Sequence, residues 1–345
     1  MKALLKEDSV FILAEVAQSY EGSIETLNET SRRACSAGVD GVMFQVVFAD
    51  ELAVKDYSYY GLFKSLEMPR NHWEKVLSVI HQSGKLSLGE VFGKRSVDLM
   101  FDLGADALKI HASDLSNIPL LEYVGGTGLP ILLSVGGAFE SEIYEAVTSL
   151  RKGGAMELIL LHGYQACPTE IQDTHLGKLK SLKDTFRLPV GYSDHIAGCV
   201  NGDFRKVNEL AFYLPLVALG EGAQLIEKHI MLDRSKAWED HESALSADEF
   251  ERFVTLLRTF ECSRGKYDLN LNPTEETYRN GARKCIVAAE HIARNSILTA
   301  GQVAFKRIKN PEEGITSLQQ VVGKHVLSDL APDDPITRSI LTNAQ

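Results

Sequence analysis

Eight short apolar runs, each of strand length, recur along the first 230 residues of the chain. They read FILAEVA (11–17), GVMFQVV (41–47), LSLGEV (86–91), ALKIHA (107–112), PILLSV (130–135), LILLHG (158–163), LPVGYSD (188–194) and LIEKHI (225–230). Between them lie SIETLNETSRRACSAG, NHWEKVLSVIHQSG and SEIYEAVTSLRKGG, with DEFERFVTLLRTF after the last. Their apolar positions fall three and four residues apart, the period of an amphipathic helix. Gly38, Gly84 and Gly104 stand where helices should stop, at the position that favours a left-handed residue. Near-continuous apolar strands alternating with helices imply a parallel sheet covered on both faces. Eight such units fit an α/β fold of the (β/α)8 TIM-barrel type. A doubly wound open sheet shares the alternation and is the alternative.

The pattern stops after Phe260, and ECSRGKYDLNLNPTEETYRNGAR is polar and turn-rich. From residue 283 the texture becomes short strands and turns, as in ARKCIVAAEHIARNSILTAGQVAFKRI. The expected organisation is a barrel over 1–262, a linker over 263–282 and a small β-rich domain over 283–345. A module of about 60 residues buries little core by itself, so it is expected to dock on another surface.

Composition narrows the function classes. A chain of 345 residues with 44% hydrophobic and 24% charged positions is an ordinary globular protein, and no apolar run approaches the roughly 18 residues of a membrane span. The N-terminal MKALLKEDSVFILAEV has acidic residues before its apolar run and no small-residue cleavage site, so no signal peptide is expected. The five cysteines are scattered without a CxxC pair, which points to free thiols in a reducing cytoplasm. A net charge of −11 disfavours nucleic acid as a partner. An anionic substrate would need a local positive pocket.

Barrel chemistry sits at the C-terminal ends of the strands. Those ends carry Glu15, Lys109 and His111, Ser134, His162, Ser193 with Asp194 and His195, and Glu227 with His229. Charges inside a run as apolar as LIEKHIML are costly unless paired or bound to a metal. Alternation puts Glu227 and His229 on one face and Lys228 on the other, where Lys228 is expected to meet the helical layer or snorkel out. His195 and His229, at neighbouring strand ends beside Asp194 and Glu227, can approach one divalent cation. The plainer reading makes each a hydrogen-bonded core histidine. Of the two glycine-rich stretches, VGGTG (124–128) reads as a structural turn, whereas SVGGAFES (134–141) follows a strand and opens a helix. Backbone N–H groups in the second could hold a phosphate.

The segments AEVAQSYEGS, LKIHASD, LLHG with PTE, VGYSDHIAG and LIEKHIMLD with EDHESALSADEF resemble, in that order, the bacterial sialic acid synthase family. FKRIKNPEEGI resembles its C-terminal antifreeze-like domain. The resemblance implies a barrel that condenses phosphoenolpyruvate with an N-acylmannosamine-type sugar to a nine-carbon 2-keto acid. It also implies a domain-swapped homodimer whose small domain covers the partner's barrel mouth. Carried over position by position, it makes His195 and His229 ligands of a divalent metal, manganese first and magnesium or zinc as alternatives. Glu15, Glu227 and Asp240 become catalytic residues, and Lys109, Ser134, Ser193 and Gln165 bind substrate. Arg307 becomes the arginine lent by the partner subunit. The chain departs from the family at Ala17, Ser19 and Tyr20, and at Met43, which replaces a lysine. It departs again at Gly89-Glu90, which replace a Ser-Thr pair, at His111 to Asp114, and at Gln165 and Cys167. These departures fall on the phosphoenolpyruvate half and leave open an aldolase-like, metal-dependent sugar lyase or a non-catalytic sugar-binding relative. Loss of the lysine at Met43 is expected to weaken the donor, and the alternative is that Lys94 or Arg95 already supplies the missing charge and pairs with Glu90.

Overall fold

The apolar runs become eight parallel strands: β1 (Phe11–Glu15), β2 (Gly41–Val46), β3 (Leu86–Val91), β4 (Ala107–Ile110), β5 (Ile131–Ser134), β6 (Leu158–His162), β7 (Val190–Asp194) and β8 (Leu225–Met231). Each pairs with the next, and β8 returns to β1 with Phe11 opposite Leu225 and Glu15 opposite His229. The sheet is therefore a closed barrel, and the open-sheet alternative falls. The computed structural model describes residues 4–6, 9–163, 168–236, 238–266 and 268–343. It divides into two compact units, Met1–Gly265 and Lys266–Gln345.

The helices follow local chemistry. Ser23 caps Ile24–Ala37 by accepting from the Thr26 N–H, and Gly38 ends it at φ +92°, a region that costs a residue with a Cβ. The helix Glu140–Gly153 opens differently from expectation. Its own Glu142 accepts the Phe139 N–H at 2.7 Å, so one N–H of the glycine-rich stretch is taken by a carboxylate of the chain.

Alternation along the strands sorts the core into two shells. Ile12, Ala14, Val42, Phe44, Leu108, Ile110, Leu133, Tyr192 and Ile226 face the helices and join one large apolar cluster. Phe11, Leu13, Met43, Leu88, Ala107, Leu132, Ile159, Leu161 and Leu225 fill the barrel interior. Each buried Leu or Ile of this plug stabilises the fold by roughly 1.5–3 kcal/mol. The plug forms a floor, and the polar positions begin above it.

In the second unit, Cys285–Ala288 pairs antiparallel with Val303–Lys306, and His325–Val326 with Leu341–Thr342. Ile286, Ile292, Leu298, Val321, Val326, Leu330 and Ile336 make its small core. The stretch read as an irregular linker is helical over Pro273–Ala282, because Asn272 accepts from the Thr274 and Glu275 N–H groups and Pro273 occupies the first turn. Among the described residues no helix is long and apolar enough to cross a membrane, and Cys35, Cys199, Cys262 and Cys285 are free thiols.

Candidate active site at the barrel mouth

Two residues beyond the apolar floor, the inward positions turn polar: Glu15 on β1, Gln45 on β2, Glu90 on β3, Lys109 on β4, Ser134 on β5, Ser193 on β7, then Glu227 and His229 on β8. All but Gln45 are buried. Gly163, just past β6, leaves room for them, since a Cβ there would lie 2.2 Å from the Ser193 carbonyl oxygen.

Lys109 is the hub. Its Nζ donates to Glu227 Oε1 at 2.8 Å. Glu90 Oε1 lies 3.2 Å away, an ion pair by distance whose angle makes no hydrogen bond. Ser193 Oγ donates to the same Glu227 oxygen at 2.5 Å. Burial alone would lower the Lys109 pKa, but Glu227, Glu90 and Glu15 outweigh it and hold the ammonium charged above its ordinary range. Burial likewise opposes a charged Glu227, yet Lys109 and Ser193 keep its carboxyl below the usual range. Glu15 goes the other way. Burial, reinforced by Glu90 and Glu227, raises it well above an ordinary carboxyl despite Lys109. Its Oε1 accepts the Ala17 N–H at 2.6 Å, and its Oε2 has no partner.

The histidines lie beside this hub. The His195 and His229 rings are edge-to-face with centroids 5.0 Å apart, and ligand atoms of His195, Glu227 and His229 all fall within 4.8 Å of one another. Burial lowers both imidazoles to about 3, so both are neutral at pH 7, as a metal requires. His195 Nδ1, His229 Nδ1 and Glu227 Oε2 are buried without partners. An unpartnered buried atom on each of three residues whose ligand atoms converge in this way fits a divalent cation. Ser243 Oγ fixes the turn behind them by donating to the His195 carbonyl at 2.9 Å. Asp240, half-buried at φ +65°, accepts the Gln18 N–H at 3.1 Å through Oδ2 and brings Oδ1 to 3.9 Å from His229 Nδ1. Burial raises its carboxyl.

Several expectations are corrected. Asp194 does not stand beside the histidines. It faces outward and binds Lys228, whose Nζ donates to Asp194 Oδ2 at 2.9 Å and to the Ile196 carbonyl at 3.2 Å. Lys228 is fully buried and does not snorkel. Two consecutive strand residues cannot share a face, so Ser193 takes the interior and Asp194 the seam. Neither Lys94 nor Arg95 pairs with Glu90: their cations lie over the rings of Tyr123 at 4.9 Å and Phe48 at 4.0 Å. His162 Nε2 donates to the Thr174 carbonyl, 2.9 Å away. Gln165 and Cys167 lie outside the described residues. Arg307 belongs to the second unit, where it is exposed and its Nε donates to the Ala282 carbonyl.

Two residues of the mouth escaped the sequence reading. Gln18 Nε2 donates to Gln45 Oε1 at 2.8 Å, and both line a cavity of about 470 Å³ with Leu52, Tyr57, Phe92 and His111. Gln45 was detectable, since it lies two residues past Met43 on the same face.

Comparison with known proteins bears on the family and the fold. The model of the NeuB family matches residues 31–268, and that of the SAF domain matches 283–341. An uncharacterized protein of Methanocaldococcus jannaschii is 32% identical across 96% of this chain and 94% of its own length. The N,N'-diacetyllegionaminic acid synthase of Campylobacter jejuni is 27% identical across 94% of this chain and 98% of its own. Among solved structures, N-acetylneuraminic acid (sialic acid) synthetase from Leptospira borgpetersenii superposes with a TM-score of 0.71 at 27% identity, covering 79% of this chain and 92% of that one. With a family match over most of the barrel and a C-terminal SAF domain, this chain belongs to the NeuB family.

Proposed function

We propose that this protein is a metal-dependent synthase that condenses phosphoenolpyruvate with an open-chain N-acylmannosamine-type sugar, or its 6-phosphate, to a nonulosonic acid for surface polysaccharide. The observation that carries the reading is one mouth holding both an orphaned ligand set (His195, Glu227, His229) and an interior cation with two hydroxyls (Lys109, Ser134, Ser193). The names of relatives in the same family support the product class.

His195, Glu227 and His229 would hold the cation, manganese or alternatively magnesium or zinc, and a bound cation supplies Lewis-acid polarisation of the sugar aldehyde. Lys109 Nζ and the Ser134 hydroxyl bind the donor's anionic groups, joined by Ser193 once its proton turns from Glu227; the family resemblance adds Gln165 as a further substrate-binding residue. Donor C3 attacks the aldehyde carbon. Glu15, whose carboxyl burial raises well above its ordinary range, is the proton donor to the aldehyde oxygen, through its unpartnered Oε2. Water then adds at donor C2 and returns one proton to Glu15; the C2–O bond to phosphate breaks as the C2 carbonyl forms, and the departing phosphate takes the second proton. Asp240 orients the acceptor next to His229. The small domain, with the exposed Arg307, serves the partner's mouth in a domain-swapped homodimer, which compensates for its own slight core. The setting is cytoplasmic.

The test is phosphate release from phosphoenolpyruvate with manganese and a panel of N-acylmannosamine sugars and their 6-phosphates. Release dependent on sugar and metal is expected; none with any sugar overturns the reading. The Lys109–Glu90 pair favours a second reading, metal-dependent cleavage of a sugar acid without phosphoenolpyruvate, which retro-aldol turnover would reveal. Calorimetric sugar binding without any turnover would instead mark a non-catalytic relative.

A further inference from the structure

The barrel interior is short of positive charge. Among the described residues three cations are buried, Lys109, Lys228 and Arg234. Lys228 faces outward to Asp194, and Arg234 is paired with Glu249. Lys109 alone faces the interior, and it is already engaged. Glu227 takes one side of its ammonium at 2.8 Å and Glu90 another at 3.2 Å. Met43, on the strand beside β3, is fully buried in the apolar floor and offers no charge. Lys94 and Arg95, the first cations in sequence after β3, rest on aromatic rings.

Glu90 is 1% exposed. It is a carboxylate held within ion-pair distance of the cation that a carboxylate or phosphate ligand would seek. Meanwhile Ser134 Oγ, buried on β5 two positions past Leu132, has no partner. Part of an anion cradle is therefore free while its cation is occupied from within the chain.

We infer that Glu90 is a specificity-determining residue that occupies Lys109 in place of a donor's anionic group, so that an anionic donor enters only by displacing it. This rests on the proposed function for the identity of the donor, but the charge argument holds for any anion that reaches Lys109. The mouth then selects against anions in its donor half, and a substrate neutral at that position binds without competition. Like charges brought together in a water-poor site repel far more than in solvent, so removing the Glu90 charge while keeping its shape should admit the anion.

The experiment titrates phosphoenolpyruvate, pyruvate and inorganic phosphate into the full chain with manganese by calorimetry. It compares wild type with Glu90→Gln, Glu90→Thr and the double variant Glu90→Gln/Lys109→Met. Phosphoenolpyruvate should bind tenfold to a hundredfold tighter to Glu90→Gln, and the gain should vanish in the double variant. Pyruvate and phosphate report which anionic group Glu90 replaces. A gain below fivefold in both single variants, or one that survives loss of Lys109, overturns the inference. So does loss of the cooperative thermal transition in both, which would make Glu90 a structural counter-ion. A Lys109-dependent gain without condensation by the wild type leaves the inference standing and removes the proposed function. Condensation by the wild type without such a gain does the reverse.

Discussion

Lys109 and Lys228 are both buried lysines on barrel strands, and they lead opposite lives. Lys228 sits in the seam between β7 and β8 with every partner supplied: Asp194 Oδ2 at 2.9 Å and the Ile196 carbonyl at 3.2 Å. Asp194 is complete too, accepting from the Tyr192 hydroxyl and the Ile196 N–H at 3.1 Å each. Lys109 faces the interior among three carboxylates, and around it Glu15 Oε2, Glu227 Oε2 and Ser134 Oγ are left without partners. A closed polar network holds strands together; an open one awaits something from outside. Satisfaction, rather than burial or charge, separates the structural lysine from the one proposed to meet a ligand.

The comparison breaks most visibly at the histidines. His195→Ala or His229→Ala should weaken manganese binding by more than about 100-fold and abolish turnover. The thermal transition should stay cooperative, because neither ring nitrogen at issue bonds the fold. Full affinity in either variant, by calorimetry, would remove the metal assignment. On the closed side the expectation inverts. Lys228→Met should leave metal binding intact but cost about 3–5 kcal/mol of stability in urea, since it strands a buried Asp194. Adding Asp194→Leu should recover much of that loss, and failure to recover would mean the seam needs its charges.

Acid sharpens the contrast. Burial holds His195 and His229 near pKa 3, well below the 6.5 of an unfolded histidine. Below 6.5 the unfolded chain takes up protons that the folded mouth refuses, so stability falls as pH drops from 6.5 toward 3 and is unaffected by these groups above 6.5. The loss should be on the order of a few kcal/mol by pH 4.5. Urea midpoints at pH 7 and 4.5 in the presence of a chelator should converge when both histidines are replaced by asparagine. Wild-type and variant curves that fall in parallel would show that the rings are not held neutral. The smallest effect is expected at Arg307. Arg307→Ala should raise the acceptor KM about tenfold, the worth of one charge-assisted hydrogen bond. The wild type should sediment as a dimer, and a fully active monomeric barrel truncated after residue 275 would refute the lent arginine.

Much of this was legible before any coordinates. LSLGEV at 86–91 is β3 to the residue, and LIEKHI lacks only Met231 of β8. Period two also placed Glu227 and His229 inward and Lys228 outward. The same rule, applied to SDH, would have sent Asp194 away from the metal; proximity in sequence was allowed to override it. What no local pattern carries is pairing across a barrel. Glu90 and Lys109 sit opposite one another in register on adjacent strands, but Glu227 reaches Lys109 from β8 through the interior, which depends on closure and tilt. The helix at Pro273–Ala282 was hidden for another reason: it buries no residue, so it carries no apolar stripe and is written only in its cap.

The apolar plug of Leu13, Met43, Leu88, Leu132 and Leu161 makes the mouth a vessel with a single neck. On the proposed two-substrate condensation, whatever binds deepest, against Lys109 and Ser134, must arrive before the second substrate and depart after the second product has cleared. Steady-state kinetics should therefore be ordered, with the last-released product competing only against the first-bound substrate.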